Sequence, residues 1–227
     1  MAVRLDFLSQ VPLFAELSAV ELRALADDML RRQFTPGETI FQRGDAGQML
    51  YLIESGQVRI YVQDEEGQET SVTFYGKSDV FGELAVIDGF PRSASAEAME
   101  NTVVHILSRD RFREHMRRCP QLALNFMKTL SVRVRYSTQQ FESLTMFDIP
   151  KRLARKLLEL AQDHGVAETE GVRITLTLTQ SDLASLTGAT RESVNKALGN
   201  LKRQGLVLVK QGHITIVDAG ALRELGS

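Results

Sequence analysis

Residues 34 to 107 alternate short apolar runs with glycines, and this feature limits the possible folds more than any other in the chain. Val, Ile, Tyr and Phe dominate the runs and favour strands, and glycine allows the positive φ of tight turns. Four runs predict strands, at Leu50–Ile53, Val58–Val62, Thr70–Tyr75 and Val103–Leu107. Between two of them, Asp64-Glu65-Glu66-Gly67 is typical of a hairpin tip. The pattern predicts an antiparallel sandwich or barrel.

Helical patterns precede and follow this β segment. Residues 5–30 read as helical, and Ser18 with Glu21 three positions later has the spacing of a capping box. An apolar stripe follows at helical period, formed by Leu22, Leu25, Ala26 and Met29. Beyond the strands, Pro120 precedes a long predicted helix from about 121 to 146. The two kinds of pattern together indicate an α+β fold.

One stretch inside the β segment, FGELA followed after a short gap by PRSAS, has the parts of an anion site. Gly82 lets a ligand approach the backbone, and the run 83–87 can form a short helix with its first N–H groups towards an anion. Arg92 offers a planar fork for phosphate oxygens, and Ser93 adds a hydroxyl. Glu83 would repel a phosphate, so it fits only a neutral donor such as a ribose 2′-hydroxyl. A 3′,5′-cyclic nucleotide combines both groups. A glycine turn with a surface arginine and a capping glutamate would explain either half alone.

The full stretch FGELAVIDGFPRSAS closely resembles the phosphate-binding cassette of cyclic-nucleotide-binding domains, and the glycine-separated strands resemble their jelly-roll-like β-roll. The resemblance implies that Gly82 and Glu83 hold the ribose side of the ligand and that Arg92 and Ser93 hold the phosphate. We expect cAMP first and cGMP second. Cyclic dinucleotides are disfavoured because Glu83 would face a second phosphate. The candidate ligand residues in the cassette are Phe81, Gly82, Glu83, Leu84, Ala85, Arg92 and Ser93.

The long helix carries residues at the 3.5-residue period of a two-stranded coiled coil. Its seam positions follow one another at intervals of 3, 4, 3, 4 and 3, at Met127, Leu130, Val134, Ser137, Phe141 and Leu144. An amphipathic helix on its own domain is the alternative, but the strict period and the charged flanks favour a dimer seam. The predicted dimerisation residues are Met127, Leu130, Val134, Phe141 and Leu144.

A hinge is predicted at Phe147–Pro150, because Pro150 disfavours helical geometry before it and suits the first turn of a new helix. The next predicted helix, 151–162, should bury Leu153, Leu157, Leu158 and Ala161 and expose Lys151, Arg152, Arg155 and Lys156. These boundaries predict a β-roll domain over 1–120, a dimerisation helix over 121–147 and a last domain over 148–227.

Two capped helices around a glycine predict a helix-turn-helix in the last domain. Thr179 and Thr190 are the expected N-caps, Gly188 makes the turn, and Gly205 stops the second helix. The predicted helices cover 180–186 and 191–204, and two wing strands cover 207–210 and 213–217, joined through Gln211 and Gly212. The sequence TQSDLA…GATRESV and this order of helices and strands resemble the winged helix-turn-helix of the CRP/FNR regulators, most closely that of the catabolite activator branch.

Polar residues on the leading face of the second helix are candidates for reading DNA. Arg191 can bond guanine bidentately, Glu192 can accept from cytosine N4, and Thr190 and Gln180 suit phosphate contacts. The resemblance implies a TGTGA-like half-site read by Arg191 and Glu192, although Lys196 stands where the catabolite activators have arginine. The candidate DNA-binding residues are Gln180, Thr190, Arg191, Glu192, Asn195 and Lys196.

The resemblance to the catabolite activators also concerns the long helix. It implies that Ser137, and Thr138 of the partner subunit, touch the nucleotide base.

Composition excludes several other functions. The net charge of −2 makes the chain no polycation, so DNA binding must come from a local patch. Cys119 is the only cysteine, which rules out an intramolecular disulfide and the cysteine cluster of FNR-type iron–sulfur sensors. His105 is better explained as a structural histidine than as a haem ligand, and no other histidine has metal spacing. We expect no catalytic residues, no enzyme activity, and neither a signal peptide nor a membrane span, hence a cytoplasmic protein.

The sequence thus predicts a homodimeric transcription regulator that binds a cyclic nucleotide and a pseudo-palindromic DNA operator. RNA polymerase is the further partner that the family resemblance implies. Two alternatives stay open. One is a regulator with a vestigial cassette, constitutive or driven by another ligand. The other is a cyclic-nucleotide-binding module that acts through protein partners.

Overall fold

Two units divide the chain, Met1–Arg135 and Tyr136–Ser227. The structure is a computed structural model that describes residues 3–67, 69–210 and 212–226. None of the helices in these ranges is both long and apolar enough to cross a membrane.

The first unit places strands between helices. Its helices are α1 (Leu5–Leu8), α2 (Ala19–Asp28), α3 (Glu83–Asp88), α4 (Arg109–Arg118) and the first part of α5 (Pro120–Met146), with a 3-10 turn at Pro12–Phe14. Its strands are β1 (Leu30–Phe34), β2 (Thr39–Phe41), β3 (Met49–Ser55), β4 (Val58–Gln63), β5 (Glu69–Tyr75), β6 (Val80–Phe81), β7 (Ser95–Ala98) and β8 (Thr102–Ser108).

Antiparallel pairing arranges these strands into two sheets, with the orders β1-β8-β3-β6 and β2-β7-β4-β5 among the described residues. Side chains from both sheets share one core, formed by Phe34, Tyr51, Ile53, Val58, Phe81, Ala96, Ala98 and Val104. This double layer confirms the predicted jelly-roll-like β-roll. The four predicted strands are present as β3, β4, β5 and β8, each slightly longer than predicted.

The prediction that residues 5–30 are helical is wrong at its end. Helix α2 stops at Asp28, and Leu30 begins β1, opposite Ile106 of β8. Leucine is a good helix former, so the local pattern continues to Leu30, but pairing with β8 overrides this propensity. Strands β2, β6 and β7 span only 2 to 4 residues, too few to show a periodicity in the sequence.

A second core joins the helices to β3 and β8. It includes Leu8, Phe14, Leu25, Leu50, Leu52, Leu107, Phe112, Leu122 and Phe126. The predicted stripe of α2 is buried in it, and the capping box of Ser18 and Glu21 is present. The start of α5 is also tied down by Asn125, whose Nδ2 donates to the carbonyl of Ala15 at 2.6 Å. The first turns of α5 therefore belong to the β-roll unit.

The second unit is a winged helix-turn-helix. It contains the end of α5, then α6 (Ile149–His164), β9 (Gly165–Glu168), β10 (Gly171–Ile174), α7 (Gln180–Thr187), α8 (Arg191–Arg203), β11 (Val207–Lys210), β12 (His213–Ile216) and α9 (Ala219–Gly226). Asp148 caps α6, Thr179 caps α7 and Thr190 caps α8, all three near the predicted helix starts. Strands β11 and β12 form the predicted wing, and Gln211 in its connection lies outside the described residues.

The prediction that α6 exposes Lys156 is wrong, because this residue is only 4% exposed. Its Nζ donates to the hydroxyl of Tyr136 at 2.6 Å and to Oε2 of Glu159 at 2.7 Å. These acceptors allow a cation to stay buried. Leu158 and Ala161, predicted to be buried, are half-buried, and so are the other three basic residues predicted to be exposed on this helix.

Candidate functional site

Glycine sets both ends of α3, the short helix of the cassette. Gly82 is its N-cap with φ 78°, and Gly89 closes it with φ 82°, a left-handed conformation that glycine adopts at little cost. A Cβ on Gly82 would lie 2.6 Å from Nη1 of Arg92. The structure thus brings two residues of the predicted site, Gly82 and Arg92, into contact.

Arg92 is buried, 5% exposed, without a carboxylate within ion-pair distance among the described residues. Its Nη1 donates to the carbonyl of Gly82 at 2.6 Å and its Nη2 to the carbonyl of Met49 at 2.7 Å. The guanidinium also lies 4.2 Å from the ring centroid of Phe41 and 5.6 Å from that of Tyr51. Its Nε is buried and finds no acceptor among the described residues, and burial lowers the pKa of Arg92. A buried cation that dipoles and rings hold in place, with an N–H group to spare, favours an anion beside it.

Glu83 is also buried, and it forms an ion pair with Arg133 of α5. Arg133 donates through Nη2 to the carbonyl of Val80 at 2.5 Å and lies over the ring of Tyr75 at 5.0 Å. Burial by itself would lower the pKa of Arg133, but Glu83, Tyr75 and Asp79 together outweigh burial and the pKa is raised. The ion pair fixes Glu83 Oε1, which leaves Oε2 as a further acceptor.

Arg133 was not among the predicted site residues; in the sequence it is one of the charged residues that flank the predicted seam. A signal was available, because a carboxylate predicted beside a ligand in an apolar β-roll needs a cation nearby. The position of that cation follows only from how α5 crosses the cassette.

The remaining candidates of the cassette differ in exposure. Phe81 is buried and stacks on Tyr51 with ring centroids 4.9 Å apart, so it supports the site from inside the core. Ala85 is buried, whereas Leu84 and Ser93 are exposed. Whether these residues contact a ligand stays a prediction.

The predicted seam of α5 is mostly exposed in the single chain. Met127, Val134, Phe141 and Leu144 are 54%, 66%, 70% and 50% exposed, whereas Leu130 is half-buried against the helical core of the first unit. Ser137 and Thr138, the predicted base contacts, are exposed as well. Apolar side chains in a row on a water-facing helix favour a partner surface.

The helix-turn-helix presents its polar candidates to solvent. Gly188 makes the turn with φ 58°, and the exposed side chains of Arg191, Glu192 and Lys196 form no ion pair with the described residues. Thr190 uses its hydroxyl to cap α8 by accepting from the backbone N–H of Ser193 at 3.2 Å. The remaining candidates are Gln180, exposed on the first turn of α7, and Asn195, which is half-buried and whose Oδ1 has no hydrogen-bond partner among the residues that the structure describes. The start of α8 is thus free to enter a DNA groove.

His105 is buried in β8, and its Nε2 lies 3.0 Å from Oε2 of Glu54 on the neighbouring strand β3. Its Nδ1 is buried and has no hydrogen-bond partner in the described part of the chain. The described part of the chain contains no group of three or more His, Cys, Asp or Glu side chains placed to hold a metal ion.

A β-roll that buries an arginine with no carboxylate partner among the described residues, followed by a winged helix-turn-helix with an exposed second helix, is the architecture of a DNA-binding transcription regulator. Family models support both halves: a cyclic nucleotide-binding domain matches residues 31–119, and a Crp-like helix-turn-helix domain matches residues 151–225. The chain belongs to the CRP/FNR family of DNA-binding transcription regulators. The predicted family is thereby confirmed.

Relatives match this chain over nearly its whole length. The CRP-like cAMP-activated global transcriptional regulator of Mycobacterium tuberculosis is 33% identical over 217 residues, which cover 96% of this chain and 97% of that protein. The cyclic AMP receptor protein of Thermus thermophilus is 32% identical, covering 94% and 96%. The structure of FixK2 from Bradyrhizobium japonicum, at 22% identity, superposes with a TM-score of 0.78 over 88% of this chain and 98% of that one, which supports the fold.

Proposed function

We propose that this regulator is a homodimer that binds a cyclic nucleotide in each β-roll, cAMP first and cGMP second, and that the nucleotide controls operator binding. The observation that carries the proposal is Arg92, a buried cation without a carboxylate partner among the described residues, beside the N-terminus of α3. The names of two relatives, a cAMP-activated regulator and a cyclic AMP receptor protein, favour cAMP.

The geometry gives each cassette residue a distinct role in the proposal. Arg92 and Ser93 bind the cyclic phosphate, because Nε of Arg92 and the exposed Ser93 hydroxyl are both available as donors. Glu83, oriented by Arg133, accepts from the ribose 2′-hydroxyl through its second oxygen. The Arg92 guanidinium and the Glu83 carboxylate then bind two different groups of one ligand, its phosphate and its ribose.

Dimerisation is the second part of the proposal. The exposed seam residues of α5 pair with the same residues of a second copy, and Ser137 with Thr138 of the partner subunit contacts the base. The proposal also includes the division into a β-roll over 1–120, a dimerisation helix over 121–147 and a DNA-binding domain over 148–227, and RNA polymerase as a partner.

The nucleotide controls DNA binding through the hinge. Nucleotide binding tightens the seam and turns the DNA-binding domains about Phe147–Pro150, which sets the two α8 helices one DNA turn apart.

Calorimetric titration of the nucleotide-stripped protein with cAMP and with cGMP tests ligand binding. Arg92→Ala should weaken binding about 100-fold, since charge-assisted hydrogen bonds contribute about 1.5–3 kcal/mol each. Arg117→Ala, a change at an exposed arginine outside the cassette, is the matched control. If neither nucleotide binds the wild type, the effector is another ligand and the proposal fails.

Gel-shift titrations test the DNA-reading residues. Arg191→Ala and Glu192→Ala should each lose about 10-fold or more in affinity for a TGTGA-like palindrome, because a good base contact discriminates by about 1–3 kcal/mol. Arg117→Ala again serves as the control. If wild type and variants bind DNA equally weakly at all sequences, α8 does not read an operator.

The hinge rotation is measurable with spin labels on the two copies of α8. Lys202→Cys offers an exposed label position, in a Cys119→Ala background that removes the buried native thiol. The distance between labels should change when nucleotide is added. An unchanged distance contradicts the proposed control mechanism.

A further inference from the structure

Gly47 lies against the cassette at a position where no side chain fits. It is buried between exposed neighbours in the loop between β2 and β3. A Cβ on Gly47 would lie 2.0 Å from the Cβ of Ala85 in α3, and 3.3 Å from both Cζ and Nε of Arg92. Two parts of the proposed anion site thus surround this glycine.

Space, and not backbone conformation, demands glycine at this position. Gly47 does not have a positive φ, so an alanine could adopt its backbone angles. Gly44 in the same loop shows the opposite case, with φ 92° and open space where a Cβ would lie. The restriction at Gly47 therefore comes from the methyl group of Ala85.

Relieving the clash would disturb the contacts of Arg92. An ordinary carbon contact begins near 3.4 Å, so a Cβ on Gly47 would need Ala85 to retreat by at least 1.4 Å from the 2.0 Å position. Ala85 lies in the first turn of α3, whose N-cap is Gly82. The carbonyl of Gly82 accepts from Arg92 at 2.6 Å, so a retreat of that size would break this hydrogen bond.

We propose that Gly47 is a positioning residue for the anion site. Gly47 and Ala85 form an interlock, a contact in which only one of the two positions can carry a methyl group. This contact sets the position of the Arg92 guanidinium relative to the bound ligand. The inference rests on the proposed cyclic-nucleotide function and extends it to a residue outside the cassette motif.

A four-member mutant cycle tests the interlock, with wild type, Gly47→Ala, Ala85→Gly and the double variant titrated with cAMP. The double variant moves the methyl group across the contact and keeps the same number of atoms. Gly47→Ala should weaken cAMP binding at least about 10-fold, a cost of ~1.4 kcal/mol. The double variant should bind within about 3-fold of Ala85→Gly, which carries only the helix cost of a glycine. If the double variant binds as weakly as Gly47→Ala, the interlock is refuted.

The same cycle in an Arg92→Ala background separates positioning from general stability. Gly47→Ala should then lower the thermal midpoint as before but cause no further loss of cAMP affinity. A further loss of the same size would show that Gly47 acts independently of Arg92 and would overturn the proposal. If the wild type binds neither cAMP nor cGMP, the proposed function fails, and so does the role of Gly47, whatever the thermal midpoints show about the contact.

Discussion

Replacing Arg133 by methionine should cost the β-roll unit more stability than replacing Glu83 by glutamine, although the two side chains form one ion pair. The asymmetry follows from burial: the Glu83 side chain is 7% exposed and the Arg133 side chain is 27% exposed. Arg133→Met leaves a buried carboxylate with no ion pair to the described residues. Glu83→Gln leaves a guanidinium that water reaches and that keeps its hydrogen bond to Val80.

The expected magnitudes differ accordingly. Removing one partner of a buried pair costs about 3–5 kcal/mol when a charge is left buried, which applies to Arg133→Met. Glu83→Gln should cost about 1–2 kcal/mol, the range of a weakened charge-assisted hydrogen bond. The double variant should be more stable than Arg133→Met alone, because it removes the stranded charge, with a coupling energy of about 0.5–3 kcal/mol.

Scanning calorimetry of the nucleotide-stripped protein measures these costs. For a unit of this size 1 kcal/mol corresponds to about 3 °C, so Arg133→Met should lower the midpoint by about 9–15 °C and Glu83→Gln by about 3–6 °C. Arg135→Met, at an exposed arginine on the same helix, should change stability by less than about 0.5 kcal/mol. Equal losses for the two single variants, or a double variant no more stable than Arg133→Met, would refute the reasoning.

Two further predictions concern other buried polar groups. Burial lowers the pKa of His105 below its ordinary 6.5, although Glu54 opposes this shift. The stability that depends on neutral His105 is therefore fully present above pH 6.5, and it is lost as the pH falls from 6.5 through the folded-state pKa. Between about pH 7.5 and 5, the thermal unfolding midpoint should fall less steeply with pH in His105→Gln than in the wild type. Parallel curves for the two proteins would contradict the role of His105 in this loss of stability. Tyr136→Phe should destabilise the second unit by about 1–3 kcal/mol in urea unfolding, since buried Lys156 loses an acceptor. Lys156→Met added to Tyr136→Phe should restore part of that loss, and simple additivity of the two changes would show that the contact is unimportant.

The sequence by itself determined the features that depend on neighbouring residues. Ser18, Thr179 and Thr190 cap helices at the predicted places, because a cap needs only the hydroxyl and the next few N–H groups. The turn at Gly188 and the ends of α3 follow in the same way from glycine's freedom to take positive φ. The long strands of the β-roll and the helix-turn-helix follow from such local signals, as does the family, whose motif is contiguous in the chain.

Tertiary structure decided what depends on residues far apart in the chain. Leu30 belongs to a helical pattern in the sequence but pairs with β8 in the structure. Lys156 was expected to face water but is buried and donates a hydrogen bond to Tyr136. Arg133 reaches Glu83 only because α5 crosses the cassette. Gly47 meets Ala85 only because the loop between β2 and β3 and the helix α3 converge on Arg92. Local propensities differ by less than ~1 kcal/mol per residue, whereas a charge left buried without its partner costs about 3–5 kcal/mol, and the pairs of a strand add to one another. These contacts therefore overrule or complete the local pattern, and no stretch of sequence contains both of their partners.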